Sequence, residues 1–92
     1  MKYELIITSL FKRDHKKIKK RKYNIDLLDN VVNKLQNGEK LPDSNRDHAL
    51  SGDWIGYREC HIQPDWLLVY KISDEKLVLS LIRTGSHSDL NF

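Results

Sequence analysis

Apolar positions change their spacing partway along this chain. Ile25, Leu28, Val32 and Leu35 recur at intervals of three and four with Val31 beside them, which marks one buried face of a helix. Asn24 suits the N-cap of that helix, Asp26 and Asp29 lie near its positive end, and Gly38 is a natural stop. Upstream, residues 10–22 predict a first helix with a narrower stripe of Leu10, Phe11 and Ile18, and residues 3–8 predict a short strand. Residues 39–53, with Pro42, Asp43, Ser44, Asn45 and Gly52, read as a loop.

Beyond the loop the period becomes strand-like, with strands expected over 54–62, 66–72 and 76–83. Pro64-Asp65 and Ser73-Asp74-Glu75 mark turns so short that the strands they join must be antiparallel neighbours. The run from Leu77 to Ile82 is apolar on both faces and predicts a central strand, covered on one side by the helices. Residues after Gly85 read as a short tail or edge strand. A strand, two helices and then three strands define an α+β class, and 92 residues without repeat or linker predict a single domain over 1–92.

Composition narrows the function classes. A hydrophobic content of 39% argues against disorder, and no apolar run approaches the ~20 residues of a membrane span. No secretory signal is expected, and the lone Cys60, which has no internal disulfide partner, fits a reducing, cytoplasmic setting. The net charge of +3 is unevenly spread. Residues 11–23 hold eight basic side chains against the single acid Asp14, a local charge of +7, while the rest of the chain carries −4. Such a run reads either as a solvated helix face or as a surface for nucleic acid or an acidic partner.

Candidate chemistry gathers in the second half. His48, His61 and His87 occur with Asp65, Arg58, Arg83, Tyr57, Trp54 and Trp66. Strand alternation puts Tyr57, Glu59 and His61 on one face and Arg58, Cys60 and Ile62 on the other. His61 at a strand end, Asp65 after a turn and Arg83 at the end of the last strand are placed to converge. Imidazoles transfer protons near neutral pH, and arginine offers a rigid fork for phosphate. A histidine pair with an arginine suffices to cleave RNA without a metal or other cofactor, one group taking the 2′-hydroxyl proton and another protonating the 5′ oxygen. Each residue also has a plainer reading. Single histidines are as a rule structural, the two tryptophans suit core or rim packing, Arg58 suits a salt bridge, and Cys60 suits a buried inert thiol. Three His and one Asp would also make zinc ligands, but no pair has a short ligand spacing such as His-x-x-x-His.

The segment from His48 through Tyr70, HALSGDWIGYRECHIQPDWLLVY, and the segment RTGSHSDL from Arg83 to Leu90 resemble the hallmark and C-terminal signature of the YafQ-like branch of the RelE/ParE toxin superfamily. These motifs cover about a third of the chain, and the N-terminal helices match in pattern only. The resemblance implies a small antiparallel sheet packed against two N-terminal helices. It also implies the toxin half of a type II toxin–antitoxin pair, a ribosome-dependent mRNA endonuclease whose partners are a cognate antitoxin, mRNA and ribosomal RNA. His61 and His87 would transfer protons, with Asp65 sharing or orienting that transfer. Arg83 would contact the scissile phosphate, His48 would complete the pocket, and Trp66 would shape it or stack on a base. Lys16, Lys17, Lys19 and Lys20 would grip RNA phosphates. ParE-type relatives share the fold, act on DNA gyrase and lack the histidine set, which leaves a non-catalytic inhibitor or RNA-binding module as the alternative. One departure stands out. The family signature usually places an aromatic directly after Leu90, whereas here Asn91 intervenes before Phe92. A flexible chain terminus would let Phe92 substitute as the substrate-binding aromatic, whereas in an extended segment that slip would turn the ring to the other side.

Overall fold

The computed structural model describes residues 1–91. The elements run β1 (Glu4–Ile7), α1 (Ser9–Lys20), α2 (Ile25–Gln36), β2 (His48–Ala49), β3 (Arg58–Gln63), β4 (Trp66–Ser73), β5 (Val78–Gly85) and α3 (His87–Leu90). The five strands form one sheet in the order β1-β5-β4-β3-β2. Neighbours from β2 to β5 are antiparallel, as their short connections require. The expected antiparallel sheet is corrected at one strand: β1 lies parallel to β5, with Glu4 opposite Val78 and Ile7 opposite Leu81. The two strands are joined through the whole intervening chain, so no tight turn dictates their direction.

Both long helices start where side chains cap them. The Thr8 hydroxyl accepts from the Phe11 N–H at 3.1 Å and donates to the Leu81 carbonyl at 2.9 Å, tying α1 to β5. The Asn24 side chain accepts from the Asp26 N–H, as expected of that N-cap. The stripe of α1 buries Phe11, Asp14 and Ile18, whereas Leu10 is exposed. The strand predicted over 54–62 begins only at Arg58, because residues Gly52–Trp54 form a 3₁₀ turn and Gly56 takes a positive φ of 93°.

The central strand is β4 rather than the run after it; β5 is interior, between β1 and β4. Residues 66–70 of β4 are buried on both faces. Trp66, Leu68 and Tyr70 pack with Cys60, Leu79 and Leu81 against the helices through Phe11, Ile18, Leu28 and Leu35. Leu67 and Val69 face the other side, covered by Leu50, Trp54, Tyr57, Ile82 and Leu90. Burying each such large side chain contributes about 1.5–3 kcal/mol.

The segment after Gly85 is not a tail or strand. It forms α3, closed by a capping box in which the Ser86 hydroxyl accepts from the Asp89 N–H and the Asp89 carboxylate accepts from the Ser86 N–H. Gly85 has φ 153°, and a Cβ there would lie 2.8 Å from Asp89 Oδ2, so the strand-to-helix corner requires glycine. Residues 87–90 are therefore helical rather than extended. Asn91 ends the helix at φ 54°, and Phe92 lies outside the described residues.

Candidate active site

Register places the polar residues in rows across the sheet face opposite the long helices. Cα pairing runs from His48 to Glu59, Val69 and Arg83, one residue on each of β2, β3, β4 and β5. The adjacent row is His61, Leu67 and Gly85. Paired residues project to the same face, so backbone pairing alone puts His48, Glu59 and His61 side by side. β4 contributes Leu67 and Val69 to this face, a dry floor beneath the polar groups.

The side chains form a continuous chain of contacts. His48 Nε2 lies 3.6 Å from Glu59 Oε1, and His61 Nε2 lies 4.0 Å from the same oxygen. The rings of His61 and His87 meet edge to face with centroids 5.6 Å apart. His87 Nδ1 lies 2.6 Å from Asp65 Oδ1, which also accepts the His87 backbone N–H at 3.0 Å. Asp65 projects from the β3–β4 turn and His87 opens α3, so the corner at Gly85 brings the strand end to the turn. The backbone N–H and then the imidazole of His87 hold the Asp65 carboxyl below its ordinary range.

These contacts set tautomers. A carboxylate or carbonyl can only accept, so Nδ1 of His87 donates to Asp65 and Nδ1 of His48 donates to the Arg46 carbonyl at 2.7 Å. In each neutral ring Nε2 then carries the lone pair. His48 and His87 are about half exposed while His61 is 15% exposed, so the cluster has an open rim and a sheltered centre.

The loop before His48 is fixed from the other side of the sheet. Asp47 accepts from Arg58 Nε at 3.1 Å and from the Tyr70 hydroxyl at 2.5 Å, and Asn45 donates to the His61 carbonyl at 2.7 Å. Burial opposes the charge on Arg58, but its contacts with Tyr70 and Asp47 outweigh that effect and raise its pKa. Arg58 therefore has the salt bridge its sequence allowed, made to Asp47. Burial pushes the Cys60 thiol up to about 12, consistent with an inert core cysteine.

Arg83 stands in the His48 row, but its guanidinium reaches Asp14 on α1, with Nε at 2.6 Å and Nη2 at 3.2 Å from the two carboxylate oxygens. Trp66 lies on the helix side of the sheet. It is 1% exposed, packs edge-on to Tyr23 and donates to the Thr84 hydroxyl at 2.9 Å. No face of the indole is open to a base, so its place is the core. Lys16, Lys17, Lys19 and Lys20 are exposed on α1. Two acids on the histidine face and its margin escaped the sequence reading. Alternation had put Glu59 beside His61, but its burial between two imidazoles depends on β2, which is only two residues long. In the sequence Asp14 is only a lone acid among bases, with no signal of its reach to Arg83. Among the described residues, no group of three or more His, Cys, Asp or Glu is placed to hold a metal ion, and no helix is long and apolar enough to cross a membrane.

A mixed sheet backed by two helices, with histidines and acids on its free face, defines a small α+β protein of the RelE-like type. Residues 3–91 match the family model for the bacterial toxin of type II toxin–antitoxin systems, YafQ, and the chain belongs to that family. It is 42% identical over 81 residues to the mRNA interferase toxin YafQ of Escherichia coli (strain K12), covering 88% of this chain and 79% of that protein. Its fold is similar to that in the crystal structure of YafQ from E. coli strain BL21(DE3), with TM-score 0.89, 34% identity and coverage of 96% and 97% of the two chains. It is also similar to a chain in the E. coli DinJ–YafQ toxin–antitoxin complex, with TM-score 0.87, 34% identity and 98% of each chain covered.

Proposed function

We propose that this chain, a single domain over 1–92, is a cytoplasmic mRNA interferase. It would cut translated mRNA at the ribosome and be held in check by a cognate antitoxin. The observation that carries the reading is the 5.6 Å separation of the His61 and His87 rings. Two imidazoles so close can serve the two ends of one phosphodiester. The mRNA interferase named among its relatives and the DinJ partner of the solved complex support the same reading.

One imidazole removes the 2′-hydroxyl proton. The freed oxygen attacks phosphorus in line as the bond to the 5′ oxygen breaks. The other imidazole protonates that leaving oxygen, giving a 2′,3′-cyclic phosphate and a 5′-hydroxyl. Asp65 fixes the Nδ1–H tautomer of His87, so Nε2 faces the RNA. Arg83 steadies the charge gathering on the phosphoryl oxygens, and His48 completes the pocket. Lys16, Lys17, Lys19 and Lys20 on α1 hold ribosomal RNA phosphates.

The test is cleavage of an mRNA under translation by wild type, His87→Ala and Arg83→Ala. Each substitution is expected to lower the rate by about 10²–10⁴-fold. Equal cleavage by all three would remove both roles. Intact mRNA alongside gyrase poisoning would favour the non-catalytic relatives instead.

A further inference from the structure

Asp14 is the one acid in the basic stretch 11–23, and it is 6% exposed. It lies on the buried stripe of α1, three residues after Phe11 and four before Ile18. Its carboxylate accepts from Arg83 Nε at 2.6 Å, from Arg83 Nη2 at 3.2 Å and from the Thr84 backbone N–H at 3.2 Å. The last contact has a clear topological cause. β1 stops at Ile7, opposite Leu81, so residues 82–85 of β5 have no strand partner on that side. Asp14 closes this open edge, and in doing so it meets the side chain next to the amide it caps.

A guanidinium presents two edges that an oxyanion can grip with paired hydrogen bonds. The side edge is formed by Nε and one terminal nitrogen, and the end edge by the two terminal nitrogens. Asp14 occupies the side edge of Arg83 through Nε and Nη2. The end edge stays available on a side chain that is 23% exposed. A free arginine spreads over many rotamers, whereas one clamped side-on offers its remaining fork in one direction.

We propose that Asp14 is a positioning residue, holding Arg83 side-on so that its end edge meets the scissile phosphate. The proposal rests on the nuclease reading above. It also gives α1 two opposed surfaces, a basic outer face for RNA and an acid on the inner face that orients the phosphate-binding arginine.

The test is a double-mutant cycle in single-turnover cleavage of ribosome-bound mRNA, using wild type, Asp14→Ala, Asp14→Asn, Arg83→Ala and the Asp14→Ala/Arg83→Ala pair. Asp14→Ala is expected to lower the maximal rate on the order of 10–100-fold while leaving the half-saturating ribosome concentration unchanged, because the α1 lysines are intact. Asp14→Asn keeps an acceptor for Thr84 and Arg83, so it should fold and recover part of the rate. In the Arg83→Ala background, Asp14→Ala should cost nothing further. Multiplicative losses in the pair, a change confined to the half-saturating concentration, or a rate increase on removing Asp14 would each overturn the proposal. Wild type that leaves mRNA intact would overturn the nuclease reading with it, which separates the two failures.

Discussion

Burial of Trp66 makes a quantitative demand. Its indole N–H donates to Thr84 Oγ1 at 2.9 Å, and that hydroxyl donates to the Leu67 carbonyl at 2.8 Å, with both side chains essentially inaccessible. Thr84→Val keeps the shape but strands the indole N–H in the core and takes a donor from Leu67. An unsatisfied buried donor costs about 1–3 kcal/mol, so a loss of about 2–3 kcal/mol is expected for the pair of bonds. In a domain of this size that lowers Tm by roughly 10–20 °C. Trp66→Phe removes the same donor and leaves a smaller ring, with an expected loss of about 2–3 kcal/mol. The two changes break one shared bond, so the double variant should be less destabilised than the sum. Urea unfolding followed by far-UV circular dichroism reads these values, and cleavage at 25 °C reads the activity of the folded fraction. If Trp66→Phe leaves the unfolding midpoint unchanged yet abolishes cleavage, the indole serves RNA and its assignment to the core is wrong.

Acid should weaken the joint between α1 and α3. Asp89 is held far below the ordinary carboxylate range, first by Arg21 and then by the Ser86 cap, and Asp65 is lowered by His87. A depressed folded-state pKa contributes stability above the unfolded value of about 3.9 that is lost as pH falls through the folded one. The Tm of wild type should therefore drop below about pH 4, and its gap to Asp89→Asn should close over the same range. A gap that is constant from pH 7 to pH 2 would contradict this. Cys60, at 0% exposure with its thiol raised to about 12, should react with thiol reagents only as fast as the domain opens. Rapid labelling of folded protein would refute that. Exchanging Lys16, Lys17, Lys19 and Lys20 for Gln should weaken single-stranded RNA binding and flatten its log–log salt slope by about 0.7 for each phosphate that is no longer neutralised. An unchanged slope would take α1 out of RNA binding.

Legibility in the sequence followed the range of the interactions. The helices were readable because caps and apolar spacing are local: Asn24 caps α2, and the Val31–Leu35 face is buried as its period predicts. The turns at Pro64-Asp65 and Ser73-Asp74-Glu75 fixed the β3-β4-β5 meander for the same reason. What was illegible depends on contacts across the fold. The parallel seating of β1 pairs residues more than 70 positions apart. The helix α3 exists because Ser86 and Asp89 cap each other, a pattern hidden by its shortness. At the site, alternation placed Glu59 with His61, and the strand ends and the turn placed Asp65 toward His61 and Arg83. The buried state of Glu59, the Asp14 clamp on Arg83 and the enclosure of Trp66 each need a partner from a distant element.

The most direct measurement replaces one atom of the RNA. A ribosome-bound mRNA with a single 2′-deoxynucleotide at the position normally cut should resist cleavage there, while the unmodified message gives a 2′,3′-cyclic phosphate and a 5′-hydroxyl. Scission of the deoxy-substituted site at an undiminished rate would show that the His61–His87 pair does not work through the 2′-hydroxyl.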